Sequence, residues 1–188
     1  MEKNITKTNH LDDIKISTIY AGIKKTPNNE DDLLLIEFEK KSLIAGVFTQ
    51  SLTSSASVNQ CKKNLKSSRE PFVRAILVNS GNANAFTGKL GEETVLKISK
   101  YLSTKLNCNI NQIYTASTGV IGEQLDPNLI IKNLKLMSSS KKPDWLGAAN
   151  AIKTTDTFPK FITRKCKIHG VDIEIVGIAK GSGMIAPN

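Results

Sequence analysis

Histidine is scarce in this 188-residue chain: there are two, His10 and His169. His10 sits in a polar stretch and His169 in an expected tight turn, so both read as solvent-facing and no Ser-His-Asp arrangement assembles around either. A hydrolase or transferase built on a histidine base is therefore disfavoured, whereas a nucleophile that carries its own amine as base is compatible with what is left. Cysteine is also sparse, with Cys61, Cys108 and Cys166 scattered and no Cys-x-x-Cys pair. That excludes the usual zinc spacings and fits thiols kept reduced in a cytosol. Aromatic residues make up 5% of the chain, and none of the motifs that interleave them with basic positions in RNA or DNA readers occurs. No apolar run reaches the length of about 18 residues that a membrane-spanning helix needs. The segment from Met1 to His10 lacks the apolar core of a secretory signal. The expectation is a cytoplasmic protein with neither membrane nor nucleic acid as partner.

What is present is the composition of a globular domain, with 39% apolar and 23% charged residues. The length supports one domain with a real core, taken as a single unit over residues 1–188. A net charge of +9 raises the possibility of a basic nucleic-acid-binding module, which would show steeply salt-dependent binding. The lysines are dispersed, however, from Lys62, Lys63 and Lys66 through Lys97, Lys100 and Lys105 to Lys141 and Lys142. A solvated basic surface is the favoured reading.

Residues 1 to about 18 are polar and mixed in charge, expected as an arm or an edge segment. Asp32–Phe38 and Leu43–Phe48 read as buried strands separated by a polar turn over Glu39–Ser42. Val58, Cys61 and Leu65 follow at helical spacing, and Val73–Asn79 is another strand, ended by Ser80 and Gly81. A helix is predicted from about Glu92 to Leu106, with Glu92 and Glu93 in its first turn, where carboxylates suit the helix dipole. Its stripe is Val95, Ile98, Leu102 and Leu106. After a short strand over Gln112–Ser117, Asp126 and Pro127 begin a helix whose Ile130, Leu134 and Met137 face inward. A further short helix spans Asp144 to Ile152. Phe161–Ile168 and Val171–Ala179 alternate around His169 and Gly170, a two-residue hairpin turn. Strands interleave with helices, so the class is α/β or α+β with a mixed sheet.

Four segments have the residue types that chemistry needs. Asn79-Ser-Gly-Asn-Ala-Asn-Ala-Phe-Thr-Gly88 is rich in residues that accept positive φ and bond their own backbone; it suits a rigid loop that supports a site without touching substrate. It is not a phosphate loop. Thr115-Ala-Ser-Thr-Gly-Val-Ile-Gly122 ends a strand in hydroxyls and glycines, which can aim a hydroxyl and an N–H at one spot, as a developing oxyanion requires; as residues alone, a Ser/Thr turn is the better reading. Ala151-Ile-Lys-Thr-Thr-Asp-Thr-Phe-Pro-Lys160 reads as a helix-ending turn in which Asp156 satisfies free backbone amides. Lys180-Gly-Ser-Gly-Met-Ile-Ala-Pro-Asn188 puts a lysine and two glycines at the end of a strand, where backbone can approach a ligand closely; on these residues alone it reads equally as a flexible Gly/Pro tail. Lys24, Lys25, Lys62 and Lys63 read as surface residues.

These segments together resemble the ornithine acetyltransferase (glutamate N-acetyltransferase) family of arginine biosynthesis. Asn79-Ser-Gly-Asn-Ala-Asn-Ala85, Ser117-Thr-Gly-Val-Ile-Gly122 and Thr154-Thr-Asp-Thr-Phe-Pro-Lys160 are long, specific matches, and the likeness runs from about Tyr20 to Asn188. Phe86 departs from the pattern, which often has Cys there, so local packing must differ. The resemblance implies an α/β sandwich of helices over mixed sheets, shared with self-processing aminopeptidases of an N-terminal-nucleophile-like superfamily. It implies a precursor that cuts itself a few positions past Asn188, before a Thr that becomes the nucleophile of a separate β chain. The present chain would be the α chain, in an α2β2 heterotetramer. By resemblance, Thr118 and Gly119 form the oxyanion hole, and Thr154 and Lys180 bind substrate. The implied reaction moves acetyl from N2-acetylornithine to glutamate through an acetyl-Thr intermediate, with no metal or organic cofactor and with acetyl-CoA as an optional donor. A related self-processing aminopeptidase or amidase, passing the acyl group to water, is the alternative.

Overall fold

A computed structural model describes residues 10–137 and 143–181. The first part of the expected N-terminal arm, Lys141 and Lys142, and the tail from Ser182 to Asn188 lie outside the described residues. The elements in chain order are β1 (Ile14–Ile19), β2 (Leu33–Leu43), α1 (Ala56–Lys66), β3 (Phe72–Asn82), α2 (Gly88–Lys105), β4 (Ile113–Val120), α3 (Pro127–Leu136), α4 (Trp145–Ala151), β5 (Lys160–Ile168) and β6 (Val171–Ala179). The fold is a mixed α+β architecture. Four strands form a sheet in the order β1-β2-β3-β4, and β5 and β6 form a second, two-stranded sheet. The pairs β1–β2 and β2–β3 are antiparallel, while β3–β4 is parallel, as its connection through α2 requires.

Both faces of the larger sheet are covered. Leu33, Leu34 and Leu35 are consecutive and all but inaccessible, the signature of a strand buried on two sides. Leu33, Leu35, Ala75, Leu77 and Ile113 pack against Ile98 and Leu102 of α2 and Ile130 and Leu134 of α3. On the other face Ile16, Leu34 and Ile36 meet Ala148, Ala151 and Ile152. Helix α1 lies along the β4 side: Asn64 Nδ2 donates to the Ile113 carbonyl and the Cys61 thiol to the Thr115 carbonyl. Those are carbonyls that an uncovered edge strand would leave open to another chain.

Four local expectations are corrected. Glu39–Ser42 is no turn. Strand β2 runs through it to Leu43, with a register break in which five steps from Glu37 to Ser42 face two steps from Ala75 to Val73. The charges in this bulge are accommodated at the surface: Lys40 pairs with Asp13 at 2.6 Å, Lys41 lies over the Phe72 ring, and Arg74 donates to the Phe38 carbonyl. Residues 44–48 consequently form no strand, although Ile44 N still bonds the Pro71 carbonyl. Helix α2 begins at Gly88 rather than near Glu92, so its first turn holds no acid. The strand over Val73–Asn79 continues through Ser80 and Gly81 to Asn82. The N-terminal region resolves toward the edge-segment reading, since Ile14–Ile19 pairs with β2. The β5–β6 turn is as expected, with His169 at φ 49° and Gly170 at φ 79° closing the Ile168–Val171 rung.

Candidate active site

The site is built where β3 and β4 end side by side. Asp32 is fully buried and accepts three backbone N–H bonds, from Ala21 at 2.7 Å, Ile23 at 2.6 Å and Lys24 at 2.8 Å. This carboxylate draws the 21–24 segment across the end of β3. There Gly81, at φ 106°, has Lys24 backbone 2.7 Å from where a Cβ would lie. Gly119, at φ 129°, would place a Cβ 2.3 Å from the Gly81 carbonyl carbon. Three backbones are thus stacked without room for a side chain, which is why glycine stands at both positions. Lys24 is half-buried rather than on the surface as expected, its ammonium held by Glu30 at 3.0 Å.

The Asn-rich segment is a support. Asn79 Nδ2 donates to the Asn82 carbonyl at 2.8 Å, and its Oδ1 accepts from Ser117 Oγ at 2.7 Å. Asn82 accepts from Asn84 N and donates to the Glu123 carbonyl, and Asn84 accepts from Thr87 Oγ1 and donates to the Gly91 carbonyl. Ser80 Oγ donates to the Ala151 carbonyl at 2.7 Å, tying β3 to the end of α4. Asn79, Ser80, Asn82 and Asn84 are all buried, and each has partners, as buried polar groups require. Ser117, fixed through Asn79, immediately precedes Thr118. Phe86 stands out at the rim, 73% exposed and at φ 57°.

The expected site residues come together across long sequence separations. Thr118 and Gly119 lie on the last part of β4, Thr118 half-buried and Gly119 exposed. Lys180, just past β6, donates from Nζ to Thr118 Oγ1 at 2.8 Å. Thr154 is half-buried in the turn after α4. It is joined to Lys180 through Asp156, whose Oδ2 accepts from Thr154 N at 3.4 Å and whose Oδ1 accepts from Gly181 N at 2.7 Å. Lys160 Nζ also donates to Asp156 Oδ1, at 2.5 Å. These donors, the Lys160 ammonium first, hold the Asp156 carboxyl down at about 2 against the burial that opposes its charge. His169 is exposed in its turn, away from this cluster, as expected.

The hydrogen-bond chemistry of the Thr118–Lys180 pair is directional. An ammonium has three donors and no acceptor, whereas a threonine hydroxyl has one proton and two lone pairs. With Lys180 donating, the Thr118 proton must point elsewhere and is free for another acceptor. Among the described residues Lys180 has no carboxylate within ion-pair distance. A hydroxyl donor beside an ammonium without a counter-charge suits a negatively charged ligand or a developing oxyanion. Two contributors escaped the sequence reading. Asp32 read only as a strand boundary, although an acid directly before a run of leucines is a signal in itself. The reach of Asp156 to Gly181 is long-range and has no local signature.

Comparison with known proteins gives a consistent picture. Residues 15–188 match the model of the ArgJ family. The arginine biosynthesis bifunctional protein ArgJ of Bartonella henselae is 46% identical over 187 residues, covering 99% of this chain and 44% of that protein. Its namesake from Rhizobium meliloti is 45% identical over 176 residues, covering 93% of this chain and 41% of the relative. The chain therefore spans somewhat under half the length of these curated relatives. The crystal structure of arginine biosynthesis bifunctional protein ArgJ from Bacillus halodurans is similar with a TM-score of 0.85 at 28% identity, over 93% of this chain and 90% of that one. Ornithine acetyltransferase from Mycobacterium tuberculosis, solved in complex with ornithine, is similar with a TM-score of 0.73 at 28% identity, over 94% of this chain and 92% of that one.

Proposed function

The chain belongs to the ArgJ family, and from that premise we propose that it forms the α part of an acetyltransferase of arginine biosynthesis. In this reading the enzyme moves acetyl from N2-acetylornithine to glutamate. The observation that carries it is the 2.8 Å contact of Lys180 Nζ with Thr118 Oγ1 beside Gly119, an arrangement suited to a tetrahedral oxyanion. The names of the relatives supply the substrate class.

The proposed course of reaction begins with a Thr at the start of the partner β chain, generated by cleavage of the precursor. Its hydroxyl attacks the acetyl carbonyl while its own amine takes the proton. The carbonyl π electrons move onto oxygen, where the Thr118 hydroxyl and the Gly119 N–H receive them. Collapse breaks the C–N bond, and the departing ornithine nitrogen takes the proton back, leaving acetyl-Thr. The glutamate amine then attacks that ester through the same oxyanion site; the ester C–O bond breaks, the amine's proton passes by way of the Thr amine to the released Thr oxygen, and N-acetylglutamate leaves. Thr154 and Lys180 bind substrate, the ammonium reading a carboxylate with the N–H groups it does not spend on Thr118. The chemistry needs no metal or organic cofactor, and acetyl-CoA is an optional second acetyl donor in this reading. The same reading has the enzyme in the cytoplasm as an α2β2 heterotetramer; no described helix is long and apolar enough to cross a membrane.

A single domain completed by a second chain also accounts for the β5–β6 hairpin. Ile162, Cys166, Ile168, Val171 and Ile175 share one face in the cross-strand register, and all are exposed. An apolar sheet face of this kind is normally covered. Residues 1–188 expressed alone are expected to be aggregated or loosely packed, and co-expression with the β chain is expected to restore cooperative unfolding and acetyl transfer. Thermal unfolding and a transfer assay on both preparations check this. An isolated chain that unfolds cooperatively and is fully active would refute the two-chain reading.

A further inference from the structure

Beyond the residues already assigned, we infer that Asp156 is a positioning residue for the Thr118–Lys180 pair, its buried carboxylate setting where the Lys180 ammonium sits. The inference rests on the reading of Thr118 and Lys180 given above. Strand pairing of the hairpin ends at the Lys160–Ala179 rung. Lys180 lies one residue beyond it, where no ladder bond continues, yet its ammonium must be held at hydrogen-bond distance from Thr118.

Asp156 supplies the missing anchor. Its side chain is 0% exposed and accepts the Gly181 N–H at 2.7 Å, one residue from Lys180. Gly181 is at φ 132°, the left-handed side of the backbone map, which turns the chain toward the carboxylate. The second oxygen takes the Thr154 N–H, and the Lys160 ammonium ties the same carboxylate to the first rung of the hairpin. One carboxylate thereby fixes both substrate-binding segments, the Thr154 turn and the end of β6, to each other. A helix-ending turn alone would need the Thr154 contact only. The bond to Gly181, from 25 residues away, is what a local turn does not require.

The test uses the complete protein, α and β chains together. Lys180 reactivity toward an amine-acylating reagent is measured by peptide mass spectrometry without substrate, with Lys97 as reference, and kcat is measured alongside. In Asp156→Ala, Lys180 labelling should rise several-fold while Lys97 is unchanged. Turnover should fall on the order of 10²-fold, because the Thr118 hydroxyl proposed to meet the oxyanion shifts with the ammonium bonded to it, by about 1 Å. Asp156→Asn keeps one oxygen for the Gly181 N–H and should recover kcat to within about tenfold of the parent. A purely structural role would move melting temperature without this selective change at Lys180. Should the alanine protein fail to fold, Asp156→Ser, too short to bridge both segments, replaces it with the same expected readings. Unchanged Lys180 labelling, or unchanged kcat, in a folded Asp156→Ala or Asp156→Ser overturns the inference. Labelling is independent of turnover, so a parent enzyme that transfers no acetyl group would sink the proposed reaction and still leave the clamp decided.

Discussion

Thr118→Val should lower kcat on the order of 10²–10³-fold while KM stays nearly constant. Valine is similar in shape and equally at home at the end of β4, so the backbone stacking of Gly119 on Gly81 survives. The change removes the hydroxyl proton that the Lys180 ammonium leaves free, the one proposed to meet the oxyanion. An uncharged hydroxyl adds little to binding the ground-state carbonyl, and its contribution appears as charge builds on the acetyl oxygen. Single oxyanion donors are worth this much in other acyl-transfer enzymes. Thr118→Ser keeps both the donor and the acceptor for Lys180 and should recover much of the rate. Cleavage of the precursor must be complete in each variant, because a processing defect would mimic the loss. A fully cleaved Thr118→Val that turns over normally would make the β4 end structural only.

Lys180→Ala should raise KM for acetylornithine or glutamate about ten- to a hundredfold, the equivalent of a charge-assisted contact of roughly 1.5–3 kcal/mol. Lys180 is exposed and has no ion-pair partner among the described residues. Its removal therefore strands no buried charge, and the melting temperature should hardly move. Lys180→Arg should not restore the parent value. A planar guanidinium is a fork rather than a compact ammonium, and it does not replace a single N–H aimed at Thr118 Oγ1. A folded Lys180→Ala with unchanged KM for both substrates would reduce Lys180 to a surface residue.

Much of this fold is legible in the sequence where one period dominates. The stripe Val95, Ile98, Leu102 and Leu106 marks α2, and the first three are buried, Ile98 and Leu102 against the sheet, as that spacing demands. His169 and Gly170 mark the hairpin because both must adopt positive φ. The reading fails where charge competes with pattern. Glu39, Lys40 and Lys41 look like a turn, but a bulged strand can hold them at the surface as long as Asp13 and the Phe72 ring are there to receive the lysines. Glu92 and Glu93 look like a helix start, but Thr87 and Gly88 begin the helix a turn earlier. At the site, motifs single out Thr118, Gly119, Thr154 and Lys180, and the contacts joining them have no motif. The bonds of Lys180 to Thr118 and of Gly181 to Asp156 span 62 and 25 residues of chain. Such contacts depend on topology, which local residue patterns do not encode.

We propose that the Thr118–Lys180 corner serves acyl transfer from one amino-acid nitrogen to another. Its most direct test is to incubate the complete two-chain protein with N2-acetylornithine labelled in the acetyl group, with and without glutamate, and to follow the label. Label should appear in N-acetylglutamate, matched mole for mole by free ornithine, with only a stalled acetyl-Thr on the β chain when glutamate is left out. Label released as free acetate at the same rate whether or not glutamate is present would contradict it, since water rather than an amine would then be the acceptor.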